Sequence, residues 1–274
     1  MLWRFITDDN VSASSGLAAD DAIAQRVGAG ASPPTLRLCT YRSHCALVGR
    51  FQRLESEIHL DYCRSHDIAV NRRPTGGGAI IMGENQLGVA LMIPAGDEDT
   101  YGRARELMEK FSAGLVWALN QLGVQANFRR KNDIEVNGRK IAGLGIYRAG
   151  NGGLLFHASL LVDLDVPLML RVLNTPFEKI SDKEIATVAA RTTTVRRERG
   201  RKFLCTTFAK KSPQATRQLS ELNWLPVILP RMSFNRSRNS SARNISRPRG
   251  FFKPPTLSMP PARLKQKPPA VCWK

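Results

Sequence analysis

The chain has 274 residues, 42% of them hydrophobic, which is enough for a buried core in one large domain or two small ones. Its formal net charge of +18 is concentrated at one end. Residues 1–195 carry 22 Lys and Arg against 21 Asp and Glu, whereas residues 196–274 carry 19 against 2. We therefore separate a near-neutral globular region, 1–195, from a basic tail, 196–274.

The cysteines and the apolar segments indicate the compartment. Five cysteines without CxxC spacing argue against a disulfide framework and against a zinc site, so a reducing compartment fits best. The N-terminus turns acidic before an apolar run of signal-peptide length, and no later apolar run approaches the ~20 residues needed to span a bilayer. The sequence predicts a soluble, cytoplasmic protein with no membrane partner.

Apolar periodicity predicts the elements of the N-terminal half. In chain order they are a strand at 2–6, a helix at 18–27, strands at 36–41 and 46–48, a helix at 55–65, a strand at 68–70, and a strand pair at 79–82 and 87–93. The glycines at 76–78 are expected in a strand-to-strand hairpin, where they would mark close backbone approach.

The C-terminal half begins with the strongest helix pattern in the chain, at 103–122. Asn137-Gly138 then predicts a tight hairpin between strands 134–136 and 140–147, and a second hairpin turns at 151–153 into a strand at 154–162. Strands dominate and helices are inserted irregularly, which predicts an α+β fold with a mixed, mainly antiparallel sheet flanked by helices. Residues 235–274, rich in Arg, Ser and Pro, are predicted to be disordered.

Two short stretches carry the candidate chemistry. The glycines at 76–78 expose backbone N–H groups that can hold a phosphate or carboxylate, and Arg72 and Arg73 add complementary charge. A plain tight turn is an equally good interpretation of the glycines alone. Lys140, at the start of an apolar strand, can stabilise charge on an acyl phosphate without being a nucleophile, unless it is simply a solvated surface lysine. Asp133 can supply a magnesium ligand or a turn carboxylate.

These stretches resemble the lipoate-protein ligase A group of the biotin/lipoate ligase and transferase superfamily. The resemblance spans roughly residues 1–195, and several motifs at compatible separations carry it. The central ones are residues 72–80 (RRPTGGGAI), 131–134 (KNDI) and 138–143 (GRKIAG), and the supporting ones are 16–22, 36–38, 48–52 and 156–161.

The resemblance implies a class II biotin/lipoate ligase-like catalytic domain that uses Mg-ATP to convert lipoate, or a similar medium-chain acid, into an acyl-AMP. The acyl group then passes to a lysine of a lipoyl-carrier protein. Lys140 corresponds to the catalytic lysine, and Asp133 is the candidate metal ligand. The implied nucleotide-binding residues are Arg73, Gly78, Ala79, Ile80, Ile81, Asn132 and Lys140; the implied lipoate-binding residues are Arg72, Thr75, Gly76, Gly77, Lys140 and His157.

The sequence also departs from the family pattern. Position 82 holds Met82 where family members usually have a histidine, and Met82 cannot donate a hydrogen bond. Beyond residue 195, where the family continues into an ordered helical end, this chain becomes basic and proline-rich. We interpret the change as a frameshifted or otherwise aberrant C-terminus.

Three other functions stay open at this point. An octanoyltransferase of the same superfamily would need a nucleophilic cysteine near the lysine, and residues 64–204 contain none. A biotin ligase would share the second motif but has a different glycine loop. The basic tail could bind nucleic acid nonspecifically, although few aromatic residues are interleaved with its arginines.

Overall fold

The computed structural model describes residues 2–96, 99–129, 132–174, 182–200 and 233–235. All of them belong to one compact unit, Met1–Ser237, and residues 238–274 lie outside the described part. The strands are β1 (Leu2–Val11), β2 (Thr35–Tyr41), β3 (Cys45–Val48), β4 (Ala69–Arg72), β5 (Ile80–Met82), β6 (Gln86–Pro94), β7 (Asn127–Arg129), β8 (Asp133–Val136), β9 (Arg139–Arg148), β10 (Gly153–Leu161) and β11 (Ser233–Asn235). The helices are α1 (Ala13–Gly28), α2 (Leu54–Glu57), α3 (Leu60–Ser65), α4 (Ala104–Gln121), α5 (Val166–Val172), α6 (Asp182–Arg191) and α7 (Val195–Arg199).

The strands form two sheets. The large sheet has the order β11-β1-β2-β6-β10-β9-β8-β7, and the small sheet has the order β4-β3-β5. In the large sheet β1 pairs in parallel with both β2 and β11, and every other described pairing is antiparallel. This arrangement confirms the α+β class and the mainly antiparallel sheet predicted from the sequence.

Helices α1 and α4 pack against the large sheet in separate apolar clusters. Leu115 and Leu119 of α4 lie in the largest cluster with Phe156 of β10, as the three-to-four-residue spacing of that helix predicts. Ala24 and Val27 of α1 belong to another cluster, with strands β6 and β10. Side chains alternate along β10, so His157 and Ser159 lie on the face of the sheet that carries Leu155 and helix α1.

A buried ion-pair network fixes α1 to the edge of the large sheet. Arg37 of β2 is 1% exposed and lies 2.7 Å from a carboxylate oxygen of both Asp8 and Asp20. Its Nη1 also donates to the carbonyl oxygen of Gly16 at 3.1 Å. Burial raises the pKa of the Asp20 carboxyl, and the Arg37 charge opposes that rise. The charged side chains are stabilised because each has a partner of opposite sign.

Two sequence predictions are wrong in detail. The helix expected at 55–65 is two short helices, α2 and α3, separated where Ile58 makes a β-bridge to Leu173. The glycines at 76–78 do not connect a hairpin either. Strands β4 and β5 both pair with β3, and β6 belongs to the large sheet, so the glycine segment crosses over β3.

The predicted basic tail is described only in part. Residues 196–199 continue helix α7, and Val195 at its start is 1% exposed and packs in the largest core cluster. Ser233–Asn235 adds strand β11 to the edge of the large sheet. Asn235, the first residue of the segment predicted to be disordered, is the last residue of β11. The rest of the tail, including residues 236–274, lies outside the described residues, so the proposed aberrant C-terminus stays a prediction. None of the described helices is both long and apolar enough to cross a membrane.

Candidate active site

A cavity of about 260 Å³ lies between the segment 73–79, which we call the glycine loop, and strands β9 and β10. Ten of the predicted site residues line it: Arg73, Gly76, Gly77, Gly78, Ala79, Ile80, Ile81, Asn132, Lys140 and His157. The other lining residues are Met82, Gly143, Leu144, Ser159, Leu161, Leu164, Met169, Leu173 and Thr192. The structure therefore brings together two motifs that are about 60 residues apart in the chain.

Arg73 organises the glycine loop from inside. It is 6% exposed, and its guanidinium donates to the carbonyl oxygens of Leu47, Gly76 and Gly78 at 3.0, 3.0 and 2.6 Å. Burial lowers the pKa of Arg73. Because the described hydrogen-bond acceptors of this cation are neutral carbonyl groups, it gives the cavity wall a positive potential that favours an anion.

Glycine is required at two points of this wall. Gly77 has φ +96°, in the region that side chains disfavour. Gly49, at the end of β3, lies so close to the loop that a Cβ there would be 2.1 Å from the Gly77 carbonyl oxygen. Gly76 and Gly78 have open space where a Cβ would go, so close packing does not demand glycine at those two positions.

Arg72 has a different position from the one predicted for a lipoate ligand. It does not line the cavity; its Nη1 donates to the carbonyl oxygens of Gly49, Arg50 and Gln52 at 2.8, 3.1 and 2.6 Å. The side chain thus holds the segment that follows β3, beside the glycine loop.

A β-bulge directs Lys140 towards the cavity. The β8–β9 register shifts between Ile134, which is paired with Ala142, and Glu135, which is paired with Lys140. In a regular strand Lys140 and Gly143, three residues apart, would lie on opposite faces. Here the Lys140 ammonium would lie 3.1 Å from a Cβ placed on Gly143, so both belong to the cavity wall.

The Lys140 ammonium is paired with Asp133. Nζ lies 2.6 Å from Oδ1 of Asp133, on the adjacent strand. That oxygen is buried against the ammonium, whereas the Asp133 side chain as a whole is 27% exposed, so a further cation would have to approach from the Oδ2 side. Nearby, two hydrogen bonds with Leu144 fix Asn132. The side-chain amide of Asn132 donates to the Leu144 carbonyl oxygen at 3.2 Å, and the Leu144 amide donates to the Asn132 carbonyl oxygen at 2.8 Å. Lys131 lies outside the described residues.

His157 joins the glycine loop to the sheet. Its Nε2 lies 3.0 Å from Oγ1 of Thr75, which is 1% exposed. Gly145 on the neighbouring strand makes room for the ring, since a Cβ there would be 2.4 Å from Nε2. Burial and the charge of Arg73 lower the pKa of His157 to about 4, so the imidazole is neutral at physiological pH.

One side of the cavity is apolar, and sequence analysis missed it. Leu161, Leu164, Met169 and Leu173 come from β10, α5 and the residues flanking that helix. Apolar residues of this kind occur throughout any core, so nothing in the sequence distinguishes them as ligand contacts.

The segment after α6 was also missed. Thr192 lines the cavity and bridges to Lys140, and the amide of Thr193 donates to the Lys140 carbonyl oxygen at 2.8 Å. Glu198 of α7 accepts from the Thr193 hydroxyl and from Arg139, the latter at 2.9 Å. These contacts fix the backbone beside the lysine from the C-terminal side.

The cysteines that the structure describes do not line the cavity, although Cys45 of β3 is the strand partner of Met82, which does. Cys39, Cys45 and Cys63 are buried, free and absent from the cavity lining. Burial raises the pKa of both Cys39 and Cys45 to about 12. It also raises the pKa of Cys63 above its usual value. A thiol in such surroundings is protonated and unreactive at neutral pH.

Comparison with known protein families assigns the chain to one of them. The model of the Lipoyl protein ligase A/B catalytic domain matches residues 12–216, which is most of the chain. The chain belongs to this family. The match confirms the family that the motifs predicted, and it includes both the glycine loop and the lysine hairpin.

Octanoyltransferases are similar to this chain in sequence. Octanoyltransferase LipM of Clostridioides difficile (strain 630) is 29% identical over 221 residues, 73% of this chain and 80% of the relative. Octanoyltransferase LipM of Symbiobacterium thermophilum is also 29% identical over 221 residues, 73% of this chain and 79% of that protein.

Solved structures of the family share the fold. The bi-partite lipoate protein ligase of Thermoplasma acidophilum, studied with its E2 lipoyl domain, matches with a TM-score of 0.65 and 24% identity, over 86% of this chain and 87% of that one. A lipoate-protein ligase A bound with ATP matches with a TM-score of 0.66 and 24% identity, over 86% and 89%. At this identity the likeness establishes the fold of the catalytic unit.

Proposed function

We propose that the protein is an ATP-dependent ligase that activates lipoate, or a similar medium-chain acid, as an acyl-AMP and transfers it to a lysine of a lipoyl-carrier protein. The observation that carries this proposal is a cavity with Lys140 in its wall and no cysteine among its described lining residues. Cys205 and Cys272 lie outside the described residues. Where no cysteine nucleophile reaches the acyl group, the enzyme needs another way to activate it, and adenylation provides one.

The shape and chemistry of the cavity fit the two halves of an acyl-adenylate. Its leucine and methionine side accepts an aliphatic chain, and the glycine loop with Arg73 faces the anionic part. Exposed backbone N–H groups and a buried guanidinium are suitable donors for phosphate oxygens. The proposed nucleotide contacts are therefore Arg73, the loop segment Gly78–Ile81 and Asn132.

In the first step the substrate carboxylate attacks the α-phosphorus of ATP, the P–O bond to the β-phosphate breaks, and pyrophosphate leaves. Negative charge builds on the α-phosphate oxygens, and the Lys140 ammonium is the group placed to stabilise it. In the second step the amine of the carrier lysine attacks the acyl carbonyl. An amide forms, AMP leaves, and the amine loses a proton to solvent.

Asp133 fits the role of a magnesium ligand. Magnesium takes one or two carboxylates together with phosphate oxygens, and the partly exposed carboxylate of Asp133 lies beside the lysine, with its Oδ1 already paired to the ammonium. Bound there, Mg²⁺ would neutralise phosphate charge. No cluster of three or more His, Cys, Asp or Glu that could hold a metal on its own occurs among the described residues.

The second candidate is an octanoyltransferase, which the names of the LipM relatives favour at 25–29% identity. That activity would move an octanoyl group from a carrier protein through an enzyme thioester. Cys39, Cys45 and Cys63 are poorly suited to it because they are buried, with raised pKa values, outside the cavity.

The two candidates differ in what they consume, and one experiment separates them. Purified protein is incubated with an unmodified lipoyl domain and either ATP plus lipoate or octanoyl-acyl carrier protein, and the domain is weighed by mass spectrometry. We expect a mass increase only with ATP and acid. An increase only with octanoyl-acyl carrier protein, abolished by alkylating the thiols, would overturn the proposal in favour of the transferase.

A further inference from the structure

We propose that an exposed aromatic and arginine surface beside the cavity is the docking site for the carrier domain. The surface consists of the exposed Arg50, Phe51 and Tyr101 and the half-buried Tyr147, and we call it the aromatic–arginine surface. The inference rests on the proposed function only in requiring a carrier protein as the second substrate, a requirement that the transferase alternative shares.

The exposure of two of these residues is unusual. Phe51 is 85% exposed and Tyr101 is 61% exposed, and they are the exposed large hydrophobic residues of the described chain. Large rings left in water lose the stabilisation that burial would give, and such residues commonly mark interaction sites when they occur together.

A series of contacts at the end of β9 connects the two exposed rings. The Arg50 guanidinium carbon lies 5.8 Å from the centroid of the Phe51 ring and 5.7 Å from that of Tyr147 on β9. The amide of Arg148, the next residue of β9, lies 3.5 Å from the Tyr101 hydroxyl. The end of β9 therefore connects the loop after β3 with the loop before α4.

The surface is attached to the active-site wall. The Arg50 amide donates to the Thr75 carbonyl oxygen at 2.9 Å, and Gly49 packs directly on Gly77. The three hydrogen bonds from Arg72 hold the carbonyl groups on both sides of Phe51. Because the loop is already ordered, Phe51 loses little conformational entropy when a partner covers it.

The side chains specify the chemistry of the partner. Aromatic rings and arginine are the residues that contribute most at protein interfaces, and the exposed Arg50 and Arg53 favour carboxylates opposite them. We therefore infer a carrier domain with acidic side chains and an apolar patch around its acceptor lysine. The basic segment 196–274, with 19 Lys and Arg against 2 Asp and Glu, would be repelled by the same arginines, as would a second copy of this surface.

The test uses the full-length protein and an unmodified E2 lipoyl domain. The variants are Phe51→Ala and Tyr101→Ala, and the control is Arg64→Ala, which removes an exposed arginine of α3 paired only at the surface with Asp61. Calorimetry measures the Kd for the lipoyl domain. Pyrophosphate exchange with ATP and lipoate, without carrier, measures adenylation separately.

We expect each aromatic variant to weaken the Kd about tenfold, with exchange within about twofold of wild type and Arg64→Ala unchanged. An unchanged Kd in both aromatic variants would show that the carrier domain does not bind at this surface. So would variants that lose self-association but keep the wild-type Kd for the carrier domain. A wild-type protein that binds the lipoyl domain but shows no exchange would contradict the proposed adenylation and leave the Kd comparison as the test of the surface.

Discussion

Lys140 and Asp133 face each other across the β8–β9 hairpin, with Nζ 2.6 Å from Oδ1. The pairing depends on the β-bulge opposite Ile134 and Glu135, because without it the lysine would point to the other face of the sheet. The ammonium thereby reaches the cavity wall, where the proposed reaction develops phosphate charge, with a carboxylate as its ion-pair partner.

Asp133→Asn tests the carboxylate of this pair. The amide keeps the size of the side chain but loses the charge that orients Lys140 and that we propose binds magnesium. We expect kcat/KM for adenylation to fall about 10- to 100-fold, with a higher KM for Mg-ATP, as for removal of a metal-site contact. Glu135→Gln, which breaks a pair with the exposed Arg129, is the matched control. Equal activity in the two variants would remove Asp133 from the site.

Gly145→Ala tests the close contact between β9 and His157. The new methyl group would lie 2.4 Å from His157 Nε2 and 3.2 Å from the Thr75 Cβ, so the ring has to shift, and we expect the shift to weaken its hydrogen bond to Thr75. We expect a loss of about 1–3 kcal/mol in the free energy of unfolding, measured in urea, together with weaker lipoate binding. Gly150→Ala, where the added Cβ meets no atom within 4 Å, should have neither effect.

The low pKa of His157 predicts a pH dependence of stability. The pKa of this histidine is about 4 in the folded state and about 6.5 in the unfolded state, so the unfolded chain binds more protons at pH values between the two. Stability should therefore fall as the pH drops from about 6.5 to about 4. His157→Asn should reduce that slope in urea unfolding experiments, and His66→Asn, at an exposed position, is the control variant. Identical slopes in wild type and His157→Asn would contradict the assignment.

Arg37→Met tests the buried network between α1 and β2. The substitution leaves Asp20 buried without its cation, and we expect a loss of about 3–5 kcal/mol in the free energy of unfolding. Arg64→Met, which breaks an exposed pair, should change stability by less than about 1 kcal/mol. Similar losses in both variants would show that burial does not determine the effect.

The sequence predicted the elements with strong local signals. Asn137 at φ +49° and Gly138 at φ +76° form the tight turn that an Asn-Gly pair favours, and the helix predicted at 103–122 is α4. Local signals failed to predict features that depend on pairing between residues distant in the chain. The break at Ile58 depends on its bridge to Leu173, and the separation of β5 from β6 depends on pairing with β3.

The same limit applies to the cavity. The polar motifs predicted Lys140 and the glycine loop, because unusual residues in a fixed order are recognisable along the chain. The bulge that directs Lys140 and the apolar wall from α5 have no comparable signal in the sequence. The contact from Thr193 to the Lys140 backbone joins segments more than 50 residues apart, so only the folded structure reveals it.

Lipoate-dependent exchange of pyrophosphate into ATP tests the central claim most directly, since it needs neither a carrier protein nor transfer. Wild type should catalyse exchange, and Lys140→Ala should reduce it about 10²- to 10³-fold with the same urea unfolding midpoint, as for loss of a group that stabilises transition-state charge. Lys110→Ala, at an exposed position of α4, should behave as wild type. Full exchange by a folded Lys140→Ala variant would contradict the role given to this lysine.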